Sequence, residues 1–134
     1  ALNGLSERVR FETADVFELL PRLEAAGERF DLVILDPPAF TKSRETIKRA
    51  VKGYRDINLR GMKLVRDGGF LACSCSHFME QALFAKTIQE AARGARKRLR
   101  QVYFSTQAPD HPILWAAGET YYLKFFIFQV LEEK

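Results

Sequence analysis

The order of apolar and polar positions divides this chain into alternating strand-length and helix-length pieces. Ala1 to Leu5 reads as the end of a helix, with Gly4 as its stop. Val9 to Thr13 alternates Val, Arg, Phe, Glu, Thr, and that period of two predicts a strand. Ala14-Asp15 closes it. Val16 to Ala26 has helical spacing despite Pro21, and Gly27 ends the helix. Leu32 to Leu35, inside Phe30 to Phe40, is an unbroken apolar run. A run apolar on both faces predicts a strand buried in a sheet with helices on both sides. Proline donates no ladder hydrogen bond, so that strand must stop at Asp36-Pro37-Pro38. Ser43 is a candidate N-cap for a long helix running to about Arg66. Its positions Ile47, Ala50, Val51, Tyr54, Ile57, Met62 and Val65 recur at helical spacing. Asp67-Gly68-Gly69 predicts a turn, and Phe70 to Ser74 a second buried strand ending in Cys75-Ser76-His77. Phe78 to Ala95 predicts a helix and Leu99 to Thr106 a strand. Gln107 to Gly118 is rich in turn residues, and Tyr121 to Leu131 predicts a final long strand.

This alternation predicts an α/β fold. Its first part makes right-handed parallel crossovers, and its last two strands make a hairpin that adds an antiparallel strand at or near one edge. The pattern is that of the carboxyl-terminal half of a Rossmann-like sheet. In such a sheet ligands sit just beyond the carboxyl ends of the strands. Asp36 would then be a carboxylate at the lip of a cleft, held by a stiff Pro-Pro turn with Phe40 close behind. A carboxylate for the hydrogen-bonding edge and a ring for the face suit a nucleobase.

Composition narrows the class. A chain of 134 residues is one domain at most, and 47% hydrophobic residues imply a buried core rather than disorder. No apolar run approaches membrane-spanning length, and Ala1 to Phe11 holds no signal-peptide core. Cys73 and Cys75 are too few for a disulfide scaffold, and two residues apart on one strand face they are badly placed to bridge. A reducing cytoplasm fits best. The net charge of +4 favours a polyanionic partner only mildly.

Five segments fall in one order: Asp36-Pro37-Pro38-Ala39-Phe40, Gly53-Tyr54-Arg55-Asp56-Ile57-Asn58, Ser74-Cys75-Ser76-His77, Asp110-His111-Pro112 and Tyr122-Leu123-Lys124. Together, over nearly the whole chain, they resemble S-adenosylmethionine-dependent methyltransferases that make 5-methylcytosine in large-subunit ribosomal RNA. Members of that family normally carry an amino-terminal RNA-binding domain and a glycine-rich cofactor loop, and no Gly-x-Gly occurs here. The resemblance therefore implies residues 1–134 as a partial catalytic domain, strands three to seven of a seven-stranded sheet, with the first two strands missing. It implies S-adenosylmethionine as cofactor, with Asp15 facing the adenine amino group beside the backbone of Val16 and the Asp36 loop. The fragment alone is expected to bind that cofactor poorly and to be inactive.

The resemblance also implies catalytic roles for Cys75 and Asp36. A thiolate adding at carbon 6 of cytosine makes carbon 5 nucleophilic enough to take a methyl group. Asp36 would orient the base, Pro37, Pro38 and Phe40 would line its pocket, and Lys42 would meet a phosphate. The base must be single-stranded or flipped to enter. The alternatives remain open at this point. A cysteine in an apolar strand is commonly core filler, and Cys73 is read so. Asp36-Pro37-Pro38 with Phe40 also suits an amino-group methyltransferase, which needs no cysteine. A chain that only binds RNA or a partner is the third reading, separable by a cofactor titration. Cys73, Cys75, His77 and His111 match no common zinc module, and no metal is expected. His77 and His111 read as loop hydrogen-bonders. The basic run Arg93 to Arg100 is either a solvated helix end or an RNA backbone contact. Tyr54 either packs in the core or lines the cleft. With two strands missing, Leu32 to Leu35 becomes an open apolar edge without charge or proline; either the Val9 to Thr13 strand pairs directly with it or two chains meet there, and a homodimer or other self-association is the expectation.

Overall fold

A computed structural model describes residues 2–40, 46–76 and 79–133. Its elements run α1 (Val16–Ala25), β1 (Phe30–Leu35), α2 (Ile47–Lys63), β2 (Val65–Ser76), α3 (Gln81–Ala95), β3 (Lys97–Ser105) and β4 (Leu123–Glu132), with a short 3-10 turn at Gly118–Thr120. The strands form one mixed sheet in the order β1-β2-β4-β3. β1 and β2 are parallel and joined through α2, while β4 runs antiparallel to both β2 and β3. This is the α/β arrangement with an antiparallel carboxyl-terminal hairpin that the alternation predicts.

Side chains sort by the period of each element. On β2, Leu71, Cys73 and Cys75 point to one face, and across the ladder they oppose Phe128, Phe126 and Lys124 of β4. All six are buried. α2 closes this face with Ala50, Tyr54, Ile57 and Met62, and α3 with Phe84, Ile88, Ala91 and Ala95. Rings carry the contact from helix to sheet: Tyr54 meets Phe84 at 5.7 Å, and Phe84 meets Phe126 at 5.9 Å. Gly61 lets α2 come close to β1, because a Cβ there would lie 2.7 Å from a methyl of Leu35.

Five expectations are corrected. Val9–Thr13 is not a strand: its side chains are exposed, and Arg10 and Glu12 pair with each other at 3.3 Å. Alternation marks a face, but a strand also needs a ladder partner, and no described strand supplies one. The Leu32–Leu35 run is not covered on both sides. β1 lies at the end of the sheet, with Leu32 and Ile34 51% and 65% exposed and only Leu35 fully buried. α2 stops at Lys63 rather than Arg66 because Val65 already pairs with Phe30. Asp67-Gly68-Gly69 does turn, with Gly68 at φ 81°, but inside β2: the ladder skips from Phe30↔Val65 to Leu32↔Phe70. Leu2 to Leu5 forms turns rather than a helix end, with Gly4 at φ 62°.

Candidate active site

The carboxyl ends of β1 and β2 lie side by side, and the two strands present different chemistry to opposite faces. Leu35 pairs with Cys73, so the next residues along, Asp36 and Ser74, are neighbours. The Ser74 hydroxyl donates to Asp36 Oδ1 at 2.8 Å. That bond fixes the rotamer of an exposed carboxylate and leaves its second oxygen open. Pro37 is buried and Pro38 exposed, so the Pro-Pro turn anchors the loop and presents Asp36.

Cys75, on the other face of β2, lies under α2. It is 1% exposed. The Tyr54 hydroxyl donates to the Ser76 carbonyl oxygen at 3.5 Å and stands within hydrogen-bonding reach of the Cys75 sulfur. Burial pushes the Cys75 thiol up, while the Tyr54 hydrogen bond and the Lys124 charge pull it down. Burial raises the Tyr54 hydroxyl further above its ordinary value, and its bond to Cys75 adds to that. Cys73 lies one pleat deeper, and burial pushes it up to about 12, as expected of a core thiol.

Phe40 joins these parts. Its ring stands edge-on to Tyr54 at 4.7 Å and 85°. On its other side it meets Phe17, in the first turn of α1, at 6.2 Å. Asp15 and Val16 therefore reach the same end of the sheet. Asp15 is the N-cap of α1, accepting from Phe17 N at 2.9 Å through Oδ1. Val16, as the first helical residue, has an N–H with no intrahelical acceptor.

An open cleft of about 700 Å³ lies beside Lys124, with Glu80, Gln81, Glu119, Tyr121 and Tyr122 among its walls. Lys124 is 2% exposed and pairs in register with Cys75. Its ammonium donates to the Tyr122 carbonyl at 3.3 Å and lies 5.2 Å from the Tyr121 ring centre. His111 is exposed, 3.7 Å from Asp110 and edge-on to Tyr122 at 6.3 Å. Of the basic run, Lys97 pairs with Glu132 and Arg100 donates to Gln129 at 3.1 Å. Lys42 and His77 lie outside the described residues. No group of three His, Cys, Asp or Glu that could hold a metal occurs among the described residues.

The geometry thus brings Asp36, Pro37, Pro38, Phe40, Asp15 and Val16 to one end of the sheet. It sets Cys75 on the opposite face of β2 from Ser74, the partner of Asp36. Two partners of Cys75 escaped the sequence reading. Tyr54 was undecided because it falls in the apolar stripe of α2. Lys124 carries a legible signal: it takes the inward phase of Lys124, Phe126, Phe128, Val130, where a charge has no place without a function or a partner.

No protein-family model matches the chain. The chain is similar to proteins named "Ribosomal RNA large subunit methyltransferase I". It is 42% identical over 132 residues to that of Shewanella denitrificans, covering 97% of this chain and 33% of the relative. It is 42% identical over 134 residues to that of Vibrio cholerae serotype O1, covering 97% and 34%. The chain therefore spans about a third of the length of the curated relatives it matches. Among solved structures it resembles a candidate methyltransferase complexed with SAH, at a TM-score of 0.73 and 20% identity over 87% of this chain and 30% of the other. At that identity the likeness is one of fold, and the fold is Rossmann-like.

Proposed function

We propose that this chain is part of the catalytic domain of an S-adenosylmethionine-dependent enzyme that methylates carbon 5 of a cytosine in large-subunit ribosomal RNA, with Cys75 as nucleophile. The relatives' names support ribosomal RNA as substrate. The observation that carries the finer reading is the Cys75 thiol at the carboxyl end of β2, with the Tyr54 hydroxyl within reach and Lys124 opposite it in the ladder. Core thiols need no such partners, and Cys73, one pleat away, has neither.

The cofactor supplies its methyl group as an electrophilic sulfonium when bound. The residues present fit its adenine end: Asp15 keeps one oxygen for an amino group, and the Val16 N–H can donate to a ring nitrogen. The chain's own part of the reaction starts with Tyr54, which stabilises the thiolate by donating to it. Cys75 then forms a bond to carbon 6, and the electrons of the 5,6 double bond are freed to take the methyl group at carbon 5. Asp36, steadied by Ser74, accepts from the cytosine amino group and orients the ring against Phe40. Loss of the carbon-5 proton to a base restores the double bond and expels the thiolate.

Deep burial of Cys75 and exposure of Asp36 favour a second reading, an amino-group methyltransferase that uses Asp36, Pro37, Pro38 and Phe40 alone. The two separate on RNA carrying 5-fluorocytosine, where the fluorine blocks proton removal. In the full-length protein carrying this chain, Cys75 should give a denaturation-resistant adduct. Cys75→Ala should abolish both adduct and turnover, and Cys73→Ala should spare both. Normal methylation by the Cys75→Ala protein would leave the amino-group reading ahead.

A further inference from the structure

We propose that Lys124 is the counter-ion of the Cys75 thiolate, a positioning residue whose charge favours ionisation of the nucleophile against the burial that opposes it. The inference rests on the Cys75 reading above. Lys124 and Cys75 are direct partners in the antiparallel β2–β4 ladder, so their side chains leave the sheet on the same face from opposite strands. Both side chains are buried, at 2% and 1% exposure. An ammonium and a thiolate that share a dry site interact far more strongly than they would in water. A buried lysine is costly unless something negative faces it, and the thiolate is a negative group formed within the same site.

Among the described residues, these other groups stand around the pair. From α2, the Tyr54 hydroxyl stands within reach of the sulfur, and Asp36, after β1, adds its charge near Tyr54. From β2, Cys73 sits one pleat below. Burial pushes the Lys124 ammonium down, while Cys75 and Glu80, just before α3, oppose that shift. Tyr121 lays its ring beside the ammonium. Tyr54 and Lys124 therefore stabilise the thiolate from two sides: one by a hydrogen bond, the other by charge. Ionisation moves the thiol proton out to solvent and leaves a neutral ion pair, where a lone thiolate would be a net buried charge.

The ultraviolet absorbance of the thiolate tests this without reagent access. The difference between the 134-residue chain and its Cys75→Ser variant isolates Cys75. Lys124→Met should move the Cys75 titration midpoint up by about one pH unit or more, a tenfold loss of thiolate at a fixed pH below the midpoint. Lys124→Arg, which keeps the charge, should restore most of the shift. A midpoint unmoved in a folded Lys124→Met chain would overturn the proposal. Should Lys124→Met fail to fold, coupling is reciprocal and can be read from the other partner. The Lys124 ammonium, followed by NMR, should titrate at lower pH in Cys75→Ser than in the native chain, and an equal midpoint would overturn the proposal. Neither readout involves RNA, so failure here is distinguishable from failure of the 5-fluorocytosine adduct.

Discussion

The Tyr54 hydroxyl of α2 stands within reach of the Cys75 sulfur of β2, able to donate to it once it is ionised, and the same tyrosine ring is wedged between Phe40 and Phe84. A single side chain thus ties the loop after β1, the core under α3 and the thiol at the end of β2. Tyr54→Phe keeps the ring and removes only the donor. A hydrogen bond to a charged group contributes about 1.5–3 kcal/mol, so methyl transfer by the full-length protein should fall roughly tenfold to a hundredfold. The donor stabilises the thiolate, so its loss raises the thiol further, and the alkaline rise of the pH–rate profile should move to higher pH. An unchanged profile would remove Tyr54 from the chemistry.

The two cysteines should differ in reactivity. Burial, with Cys75 adding to it, pushes Cys73 up to about 12, and Cys73 has no donor or cation to offset this. Cys75 has both. The thiolate is the reactive form. Limited treatment with a small neutral alkylating reagent near neutral pH should therefore label Cys75 first, as read by peptide mass mapping. Labelling of Cys73 at an equal rate would contradict the described environments.

Gly53 on α2 links packing to the substrate loop. A Cβ there would meet three atoms of the Phe40 ring at 3.1–3.3 Å, so Phe40 must give way. Alanine gains about 1 kcal/mol of helix propensity over glycine, which offsets much of the strain. Gly53→Ala should leave thermal stability within about 1 kcal/mol yet weaken RNA methylation through KM, because the displaced ring is the one proposed to stack on the base. Unchanged kinetics would mean that Phe40 does not touch substrate.

Much of the fold was legible because burial writes its period into the sequence. The stripe of α2 and the alternation Lys124, Phe126, Phe128, Val130 each fixed an element and its inner face. Two things were not legible. Val9–Thr13 alternates as a strand does, yet pairing depends on a neighbour that no local pattern records. The split between Asp36 and Cys75 was also hidden. Both stand at strand ends, but the register Leu35↔Cys73 makes Ser74, not Cys75, the neighbour of Asp36. Register is a relation between two strands, and a one-residue step changes which face a side chain serves.

The outer edge of β1 should mediate self-association. β1 ends the sheet, and its far side carries backbone N–H and C=O groups with no partner strand among the described residues. Leu32 and Ile34 stand exposed on it, with no charge or proline between Leu32 and Leu35 to deter another strand. Burying two such side chains contributes on the order of 1–3 kcal/mol each, and edge pairing adds ladder hydrogen bonds. Light scattering of the chain at micromolar concentration should then show a mass rising with concentration above the 15.4 kDa of one copy. Ile34→Lys places a charge on a position that is already exposed, so it should leave the circular dichroism spectrum unchanged while returning the mass to one copy. A mass of one copy for the unsubstituted chain across the concentration range would show that this edge, though open, does not pair.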